Sequence, residues 1–369
     1  MPTSADLSPL PDAIPAGALR RVLVVKLRHH GDVLLTSPVF SALKAHAPLC
    51  EIDALVFADT VAMLSEHPAL AQLHTVDRNW KKLGPLAQGR AEWNLFSTLR
   101  ARNYDLIIHL TDHPRGAWLA RFLGVRWSVA PQRAKGAKWW KKSFTHIFRT
   151  VGGGRRHTVE MHLDALRRIG IQPSPEERAL TLVPGKAATE RVDALLREAG
   201  VADGYVHFHP ASRWFFKTWP VERNADVLRS LVESGRTVVM TAAPDAREQA
   251  LVDAILAQAG VPVVNLAGKL SLKELGAVSA RAALFVGVDS APMHIAAAVG
   301  TPTVALFGPS GDKEWGPWMV PHEIVASDAH PCRPCGLDGC GGGKVSDCLV
   351  TLPAARVLAA AQRLLGQRA

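Results

Sequence analysis

The chain of 369 residues lacks several patterns that would assign it to a class of protein at once. No apolar run approaches the roughly 20 residues that span a bilayer. No G-x-G-x-x-G follows the first predicted strand and no G-x-x-x-x-G-K-[ST] occurs, which argues against dinucleotide oxidoreductases and P-loop phosphoryl transfer. A D-x-D triplet is also missing, so a metal-bridged diphosphate has no obvious ligands and we expect neither a metal nor another cofactor.

The start of the chain has no sign of a secretion signal. Residues 1–19 hold four prolines and two acids, without the basic start and apolar core of a signal peptide. We therefore expect a disordered leader over 1–19 and a cytoplasmic protein.

Cysteine is scarce, and four of the five cysteines lie close together in a glycine-rich stretch: Cys332, Cys335, Cys340 and Cys348. Four thiols that begin with C-x-x-C are compatible with a zinc site, although the later spacings are irregular. A labile disulfide and a reduced loop are the alternatives, and a cytoplasmic setting argues against a stable disulfide. Cys50 stands alone, and we expect it to be buried or inert.

The net charge of +10 is unevenly distributed along the chain. Residues 1–180 carry 25 Lys and Arg against 15 Asp and Glu, whereas the remainder carries 18 of each. A run from Arg133 to Arg156 contains eight basic residues, no acid and four interleaved aromatics. This run indicates either a solvated face or attraction to a polyanion or an anionic membrane surface. RNA is a further possibility, but no nucleic-acid-binding motif accompanies the run.

Buried strands alternating with amphipathic helices occur twice, which predicts an α/β protein with parallel sheets covered on both faces. We expect two Rossmann-like domains separated by a cleft: residues 20–180, residues 181–350, and a terminal helix in 351–369 that packs back on the N-terminal domain. The predicted strands are 21–27, 51–57, 106–110, 205–209, 236–241, 263–266, 284–288 and 303–307. Ligands of open α/β sheets lie at the carboxyl ends of the strands, so the turns there are candidate sites.

The first such turn, R-H-H-G-D, follows the first strand and ends at Asp32. Asp is a favoured helix N-cap, which is the structural interpretation. The functional interpretation is a general base, since a free Asp with a pKa of about 3.9 is ionised at neutral pH.

The second turn, H-P-A-S-R-W-F-F-K-T-W-P, contains Ser212 and Lys217, whose side chains can bind phosphate oxygens. The alternative is a loop packed by its own aromatic residues.

The third turn, G-V-D-S-A-P-M-H, places Asp289, Ser290 and Ala291 at the start of a helix and His294 on its first turns. Backbone N–H groups at a helix start attract anions, and a carboxylate can accept hydrogen bonds from sugar hydroxyls. The alternative is an ordinary cap with His294 in the core.

Together the three motifs resemble the ADP-heptose:lipopolysaccharide heptosyltransferases of glycosyltransferase family 9. The resemblance extends from about residue 21 to 365, and S-R-W-x-F-K-x-W is most similar to the heptosyltransferase III branch. It implies the GT-B architecture, with the acceptor on the N-terminal domain and the donor on the C-terminal domain. The implied partners are ADP-heptose and the inner core and lipid A of lipopolysaccharide, with peripheral contact to the anionic inner membrane surface and no nucleic acid.

The resemblance also implies roles for individual residues. Asp32 is the base of an inverting transfer. The donor is held by Ser212, Lys217, Asp289, Ser290, Ala291 and His294, with Asp245 or Glu248 at the ribose and Leu266 at the adenine. Ser290-Ala291 stands where many relatives have Thr-Gly, a change that keeps the backbone donors. For the acceptor, charge alone suggests Arg115, Arg133 and Lys138.

Three rival hypotheses remain open. The first is the same chemistry on another acceptor, as in heptosyltransferases I and II or a protein heptosyltransferase. The second is a non-catalytic nucleotide-sugar-binding or RNA-binding protein with the same fold. The third is a zinc-dependent enzyme that uses the cysteine cluster.

Overall fold

The computed structural model describes residues 10–133, 137–150 and 154–366. The chain forms two compact units. Unit 1 comprises the residues up to 152 together with 158–179, and unit 2 comprises 153–157 and everything from 180 onward. Residue 180, the predicted end of the first domain, is the first residue of the main part of unit 2.

Unit 1 contains six strands and six α-helices among its described residues. The strands are β1 (Arg21–Lys26), β2 (Glu51–Phe57), β3 (Gln72–Val76), β4 (Leu106–His109), β5 (Trp127–Pro131) and β6 (His146–Phe148). The helices are α1 (His30–Leu34), α2 (Ser37–His46), α3 (Pro85–Ala101), α4 (Pro114–Phe122), α5 (Ala137–Lys141) and α6 (Thr158–Arg167).

Unit 2 has the same number of strands and eight α-helices in its described part. The helices are α7 (Lys186–Glu198), α8 (Val221–Glu233), α9 (Ala246–Ala259), α10 (Leu272–Arg281), α11 (Ala291–Ala298), α12 (Asp312–Trp315), α13 (Asp347–Val350) and α14 (Ala354–Gly366). The strands are β7 (Val206–His209), β8 (Val238–Met240), β9 (Val264–Asn265), β10 (Leu284–Val288), β11 (Thr303–Phe307) and β12 (His322–Ala326).

Each unit contains one six-stranded sheet, and all strand pairs are parallel, which confirms the predicted fold class. The strand orders are β3-β2-β1-β4-β5-β6 and β12-β11-β10-β7-β8-β9. Both are the doubly wound order, in which the direction of winding reverses beside the first strand. The reversal lies between β1 and β4 in unit 1 and between β7 and β10 in unit 2.

The inner strands of the two sheets are almost wholly buried, as the near-continuous apolar runs predict, whereas the edge strands β3, β9 and β12 are partly exposed. The sequence did not predict β3, β5, β6 and β12. These strands lie at or next to sheet edges, where short and mixed sequences such as Q-L-H-T-V carry little periodic signal. Among the described residues no helix is long and apolar enough to cross a membrane.

One prediction about the start of the chain requires correction. Residues 10–19 are not a disordered leader, because Ile14 is buried and its N–H donates to the carbonyl of Ile169 at 2.9 Å. Asp12 adds an ion pair with Arg168 at 2.6 Å, while residues 1–9 lie outside the described chain. At the other end, the terminal helix α14 packs against α8 and β12 in the core of unit 2, and its packing on the N-terminal domain stays a prediction.

A buried polar network joins β2, β3 and the segment before β4. Asp53 is fully buried and accepts hydrogen bonds from Arg102 Nε at 2.7 Å and Tyr104 Oη at 2.7 Å, and His74 Nε2 lies 3.3 Å away. Burial opposes ionisation of Asp53, but the hydrogen bonds from His74, Arg102 and Tyr104 outweigh it and lower the pKa of the carboxyl to about 2. A charge in this position stabilises the unit because every partner is satisfied.

We expect Asp53→Ala to lower the free energy of unfolding by about 3 to 5 kcal/mol, because it removes the buried acceptor of Arg102 Nε and Tyr104 Oη. Glu51→Ala is the matched control on the same strand. Glu51 also pairs with Arg102, but it is half exposed, so the loss of stability on its removal should be clearly smaller. Denaturant titration measures both values, and equal losses would contradict the role given to the network.

The same network predicts a pH dependence. The pKa of Asp53 is lowered on folding, so its contribution is complete above the ordinary value of 3.8 and is lost as the pH falls to about 2. The Asp53→Asn variant should lack this part of the acid-induced loss of stability.

Candidate active site

The carboxyl end of β1 carries the first predicted site residue. The strand ends at Lys26, and α1 begins four residues later, after a polar turn. His29 is the N-cap of α1, and Asp32 occupies the third position of the helix without capping it. The structural interpretation of Asp32 as an N-cap is therefore wrong. Its side chain remains about a quarter exposed, within the first turn of a helix whose dipole favours a carboxylate.

A buried lysine that the sequence analysis did not single out lies behind Asp32. Lys26 Nζ is 3.8 Å from Asp32 Oδ1 and 2.8 Å from His162 Nε2, and it donates to the carbonyl of Leu110 at 3.3 Å. His162 Nδ1 lies 3.0 Å from the carbonyl of Leu35. That carbonyl requires an N–H donor, so Nε2 is the acceptor for the lysine.

Burial lowers the pKa of Lys26 to about 8, against the opposing attraction of Asp32. The lysine is thus a cation at neutral pH that is poorly hydrated and depends on the carboxylate for its charge. The pair belongs to the strand reversal of unit 1, since Leu110 directly follows β4. Sequence reasoning had one available signal for this residue, a Lys inside an otherwise apolar buried strand.

The strand reversal of unit 2 brings together the second and third turns. Lys217 ends a short 3-10 helix after β7, and Asp289 directly follows β10. Lys217 Nζ donates to Asp289 Oδ2 at 2.6 Å, and the two side chains are 20% and 8% exposed. Gly287 permits this close pairing of β7 and β10, because a Cβ there would lie 2.7 Å from the carbonyl of His209.

Three further residues predicted to bind the sugar donor belong to the same two turns. Ser290 is the N-cap of α11 and Ala291 its first residue, so their N–H groups have no intrahelical acceptors. Pro292 has no N–H, and the Met293 N–H donates to the carbonyl of Ser290 at 3.1 Å. Ser212 is buried, and its hydroxyl accepts a hydrogen bond from the Trp214 N–H at 3.3 Å. The cation and the two backbone N–H groups at this edge of the sheet are suited to a phosphate group.

Lys217 also borders a depression of about 250 Å³. The sequence analysis missed the opposite wall of this depression, which is formed by the turn after β11 and by part of the cysteine-rich loop: Pro309, Ser310, Gly336, Leu337 and Asp338. The turn was detectable, since it follows a strand at the same carboxyl edge. The loop contact depends on tertiary folding.

Four other residues that the sequence predicts to bind the sugar donor have structural roles in unit 2. Asp245 caps α9 and accepts from the N–H groups of Arg247 and Glu248 at 3.0 and 3.2 Å. Glu248 is buried, which raises its pKa, and it accepts from the Ala243 N–H at 2.9 Å. Leu266 belongs to a hydrophobic cluster beneath β8, and His294 is buried on α11.

The three residues predicted to bind the sugar acceptor, Arg115, Arg133 and Lys138, differ in their surroundings. Arg115 is paired with Glu92, so its charge is already balanced. Arg133 lies over the ring of Trp140 at 5.4 Å, and Lys138 is exposed on α5. In the basic run, three of the four aromatic side chains are core residues, which removes them as a stacking platform for RNA: Trp140, Phe144 and Phe148. Lys135 of the run lies outside the described residues.

The cysteine cluster contains free thiols, with Cys332, Cys335 and Cys340 exposed and Cys348 buried. Over residues 10–133, 137–150 and 154–366, no group of three or more His, Cys, Asp or Glu side chains is arranged to hold a metal ion. The arrangement does not support the zinc interpretation of the cluster.

Solved structures with the same architecture identify the fold. The glycosyl transferase family 9 protein from Veillonella parvula DSM 2008 matches with a TM-score of 0.82 and 22% identity, over 96% of this chain and 99% of that one. The E. coli heptosyltransferase WaaC with ADP-2-deoxy-2-fluoro heptose matches with a TM-score of 0.68 and 20% identity, over 95% and 100% of the two chains. The fold is therefore that of the GT-B glycosyltransferases.

Sequence comparison then identifies the family. Residues 92–345 match the model of glycosyltransferase family 9 (heptosyltransferase). The lipopolysaccharide heptosyltransferase 3 of Escherichia coli strain K12 is 40% identical over 298 residues, which cover 79% of this chain and 83% of the relative. The chain belongs to glycosyltransferase family 9, and it is a glycosyltransferase.

The pairing of Lys26 with Asp32 predicts a measurable titration. One lysine side chain should lose its proton near pH 8, and Asp32→Asn should lower that pKa further because it removes the attractive carboxylate. NMR of protein labelled at the lysine ε-carbons measures this, with Lys26→Arg to assign the resonance. Asp59→Asn, an exposed carboxylate paired with Arg78 in the same unit, is the control and should change nothing. A resonance that titrates near the ordinary value of 10.5 would contradict the assignment.

Proposed function

We propose that this glycosyltransferase moves L-glycero-D-manno-heptose from ADP-heptose onto an inner-core heptose of lipopolysaccharide, as a heptosyltransferase of type III. The 40% identity to the E. coli lipopolysaccharide heptosyltransferase 3 over most of both chains carries this proposal. The structure of WaaC with an ADP-heptose analogue supports the choice of donor, since that protein has the same fold.

Unit 2 has the features that a nucleotide diphosphate sugar needs. The leaving group is ADP, whose diphosphate gains negative charge as the bond to the sugar breaks. Lys217 and the N–H groups at the start of α11 are placed to balance that charge. Asp289 holds the ammonium of Lys217 in position and has a second carboxylate oxygen for the hydroxyls of the heptose.

In unit 1 we assign the general base to Asp32. Its carboxylate accepts the proton of the acceptor hydroxyl, and the oxygen attacks the anomeric carbon while ADP departs, which inverts the configuration. Lys26 acts as a positioning residue, because its buried ammonium lies 3.8 Å from the carboxylate and attracts it. No covalent intermediate is required.

The acceptor is an anionic saccharide on lipid A, and the excess positive charge of residues 1–180 suits it. Lys138, which is exposed, and Arg133 remain our proposed contacts, with Arg115 available if Glu92 releases it. A cytoplasmic location at the inner face of the membrane is part of the proposal.

The decisive assay supplies ADP-heptose, EDTA and inner-core acceptors carrying zero, one or two heptoses, and measures the mass of the product. We expect one heptose to be added only to the two-heptose acceptor. Transfer to a shorter acceptor would change the branch of the family to type I or II, and transfer to a protein serine would indicate a protein heptosyltransferase. ADP binding without transfer to any acceptor would favour a non-catalytic nucleotide-sugar-binding protein.

We expect Asp32→Asn to lower kcat by about 10² to 10⁴-fold, because the amide cannot accept the proton, while ADP binding is retained. Asp112→Asn is the matched control, since Asp112 is an exposed carboxylate just after β4 that pairs with Arg28. Calorimetric titration with ADP and steady-state kinetics check the two parts. An unchanged kcat for Asp32→Asn would refute the base assignment.

Lys217→Met should weaken donor binding on the order of tenfold or more, since a charge-assisted contact to phosphate is lost and Asp289 is left unpaired. Lys313→Met, which removes an exposed lysine from α12 of the same unit, should leave the donor KM unchanged. The prediction fails if the two variants have the same donor KM.

A further inference from the structure

Unit 1 has an open groove of about 500 Å³ between α3 and α4, whose aromatic side chains have no part in the proposed transfer reaction. Both helices contribute side chains at helical spacing. On α3 these are Trp93, Phe96 and Arg100, and on α4 they are Arg115, Trp118, Leu119 and Phe122. Leu119 and Phe96 also contact the core below, whereas the other apolar side chains face outward.

The exposure of these aromatic side chains is unusual for the molecule. Trp93 is 66% exposed, Trp118 50% and Phe122 55%. Among the described residues, they are three of the four aromatic side chains in the exposed class, and the fourth is Trp214 in unit 2. Trp118 and Phe122 stack with ring centroids 5.5 Å apart, so they form one continuous apolar surface. A contiguous patch of this kind marks an interaction site.

Positive charge predominates in the part of the sequence that forms the groove and α5. Residues 85–145 contain eleven Lys and Arg against three Asp and Glu, a balance of +8 in a chain whose total is +10. Helix α5 is joined to the edge of the groove because Trp139 lies 5.6 Å from Trp118. It carries Lys138 and Lys141, followed by Lys142, and all three are exposed. The acid in the groove, Glu92, is already paired with Arg115.

We propose that this aromatic groove and the lysines of α5 form a docking surface for an anionic phospholipid bilayer. Tryptophan and phenylalanine side chains favour the interfacial region, where their rings leave water. Lysine and arginine beside them attract acidic headgroups, each by a factor of about five. Stable attachment of a peripheral protein needs two such signals together, and here they are adjacent.

Two other occupants fit the surface less well. A second copy of this chain would place one strongly basic face against another, which is unfavourable. Single-stranded RNA would need ring faces open to bases, whereas Trp118 and Phe122 stack on each other and Trp140 and Phe144 are buried. The bilayer interface is the partner that uses both the apolar rings and the positive charge.

The test is co-sedimentation of the full-length protein with vesicles of phosphatidylcholine alone or of phosphatidylcholine mixed with phosphatidylglycerol. We expect binding to the mixed vesicles, on the order of tenfold stronger than to the neutral ones and weakened by salt. Trp118→Ser/Phe122→Ser should reduce the partition coefficient on the order of tenfold, through loss of apolar burial. Lys141→Gln/Lys142→Gln should reduce it by a similar factor on the mixed vesicles only.

Matched controls use side chains of the same kind away from the groove. Leu49→Ser replaces a side chain that is 96% exposed in unit 1, and Lys186→Gln/Lys313→Gln removes two exposed lysines from unit 2. These variants should bind vesicles like the original protein. Thermal unfolding confirms that all variants are folded. Transfer to a delipidated saccharide acceptor should persist in both groove variants, which separates this proposal from the transfer reaction.

Three outcomes would overturn the proposal. The first is equal vesicle binding by the groove variants and the original protein. The second is an absence of binding to either kind of vesicle. The third is salt-sensitive binding of single-stranded RNA, without vesicle binding, that the Lys141→Gln/Lys142→Gln variant loses.

Discussion

The reversal of winding direction in each parallel sheet is the constraint on which the candidate chemistry depends. Where two neighbouring strands send their following helices to opposite faces, their carboxyl ends leave an open edge that no helix covers. In unit 1 this edge carries Lys26 and Asp32, and in unit 2 it carries Lys217 and Asp289. Each edge therefore holds one ammonium and one carboxylate, and the two pairs differ in which partner is more buried: the lysine in unit 1 and the aspartate in unit 2.

That difference in burial gives the two pairs different properties. Lys26 is wholly inside unit 1, and the cost of keeping it charged is offset by Asp32 and by hydrogen bonds to Leu110 and His162. The carboxylate of Asp32 remains about a quarter exposed beside this cation, which suits contact with a bound hydroxyl. Lys217 is one-fifth exposed and has three N–H donors, so its ammonium can bind an incoming anion while it keeps its contact with Asp289.

Several acids of unit 1 form ion pairs with arginines within the unit, so they do not balance the lysines of α5. Arginines of the same unit pair with four of these acids: Asp53, Glu51, Glu160 and Asp12. The lysines of α5 have few acids near them in the sequence, and they lie beside exposed aromatic side chains on α4. Charge and apolar surface thus coincide on one face, a combination suited to a bilayer interface.

The sequence by itself determined the fold class, the strand-to-helix turns and the family resemblance, because buried parallel strands and glycine-containing turns have local signatures. Asp32, Lys217, Asp289 and Ser290 were found in this way. Tertiary structure alone decided which contacts the side chains make. His162, 136 positions from Lys26 in the sequence, completes the hydrogen bonds of that lysine, and Asp245 and Glu248 have structural roles at the start of α9. The tertiary structure also showed that the aromatic side chains of the basic run divide between core and surface. Such contacts join residues distant in sequence, and no local pattern encodes them because burial depends on which elements pack together.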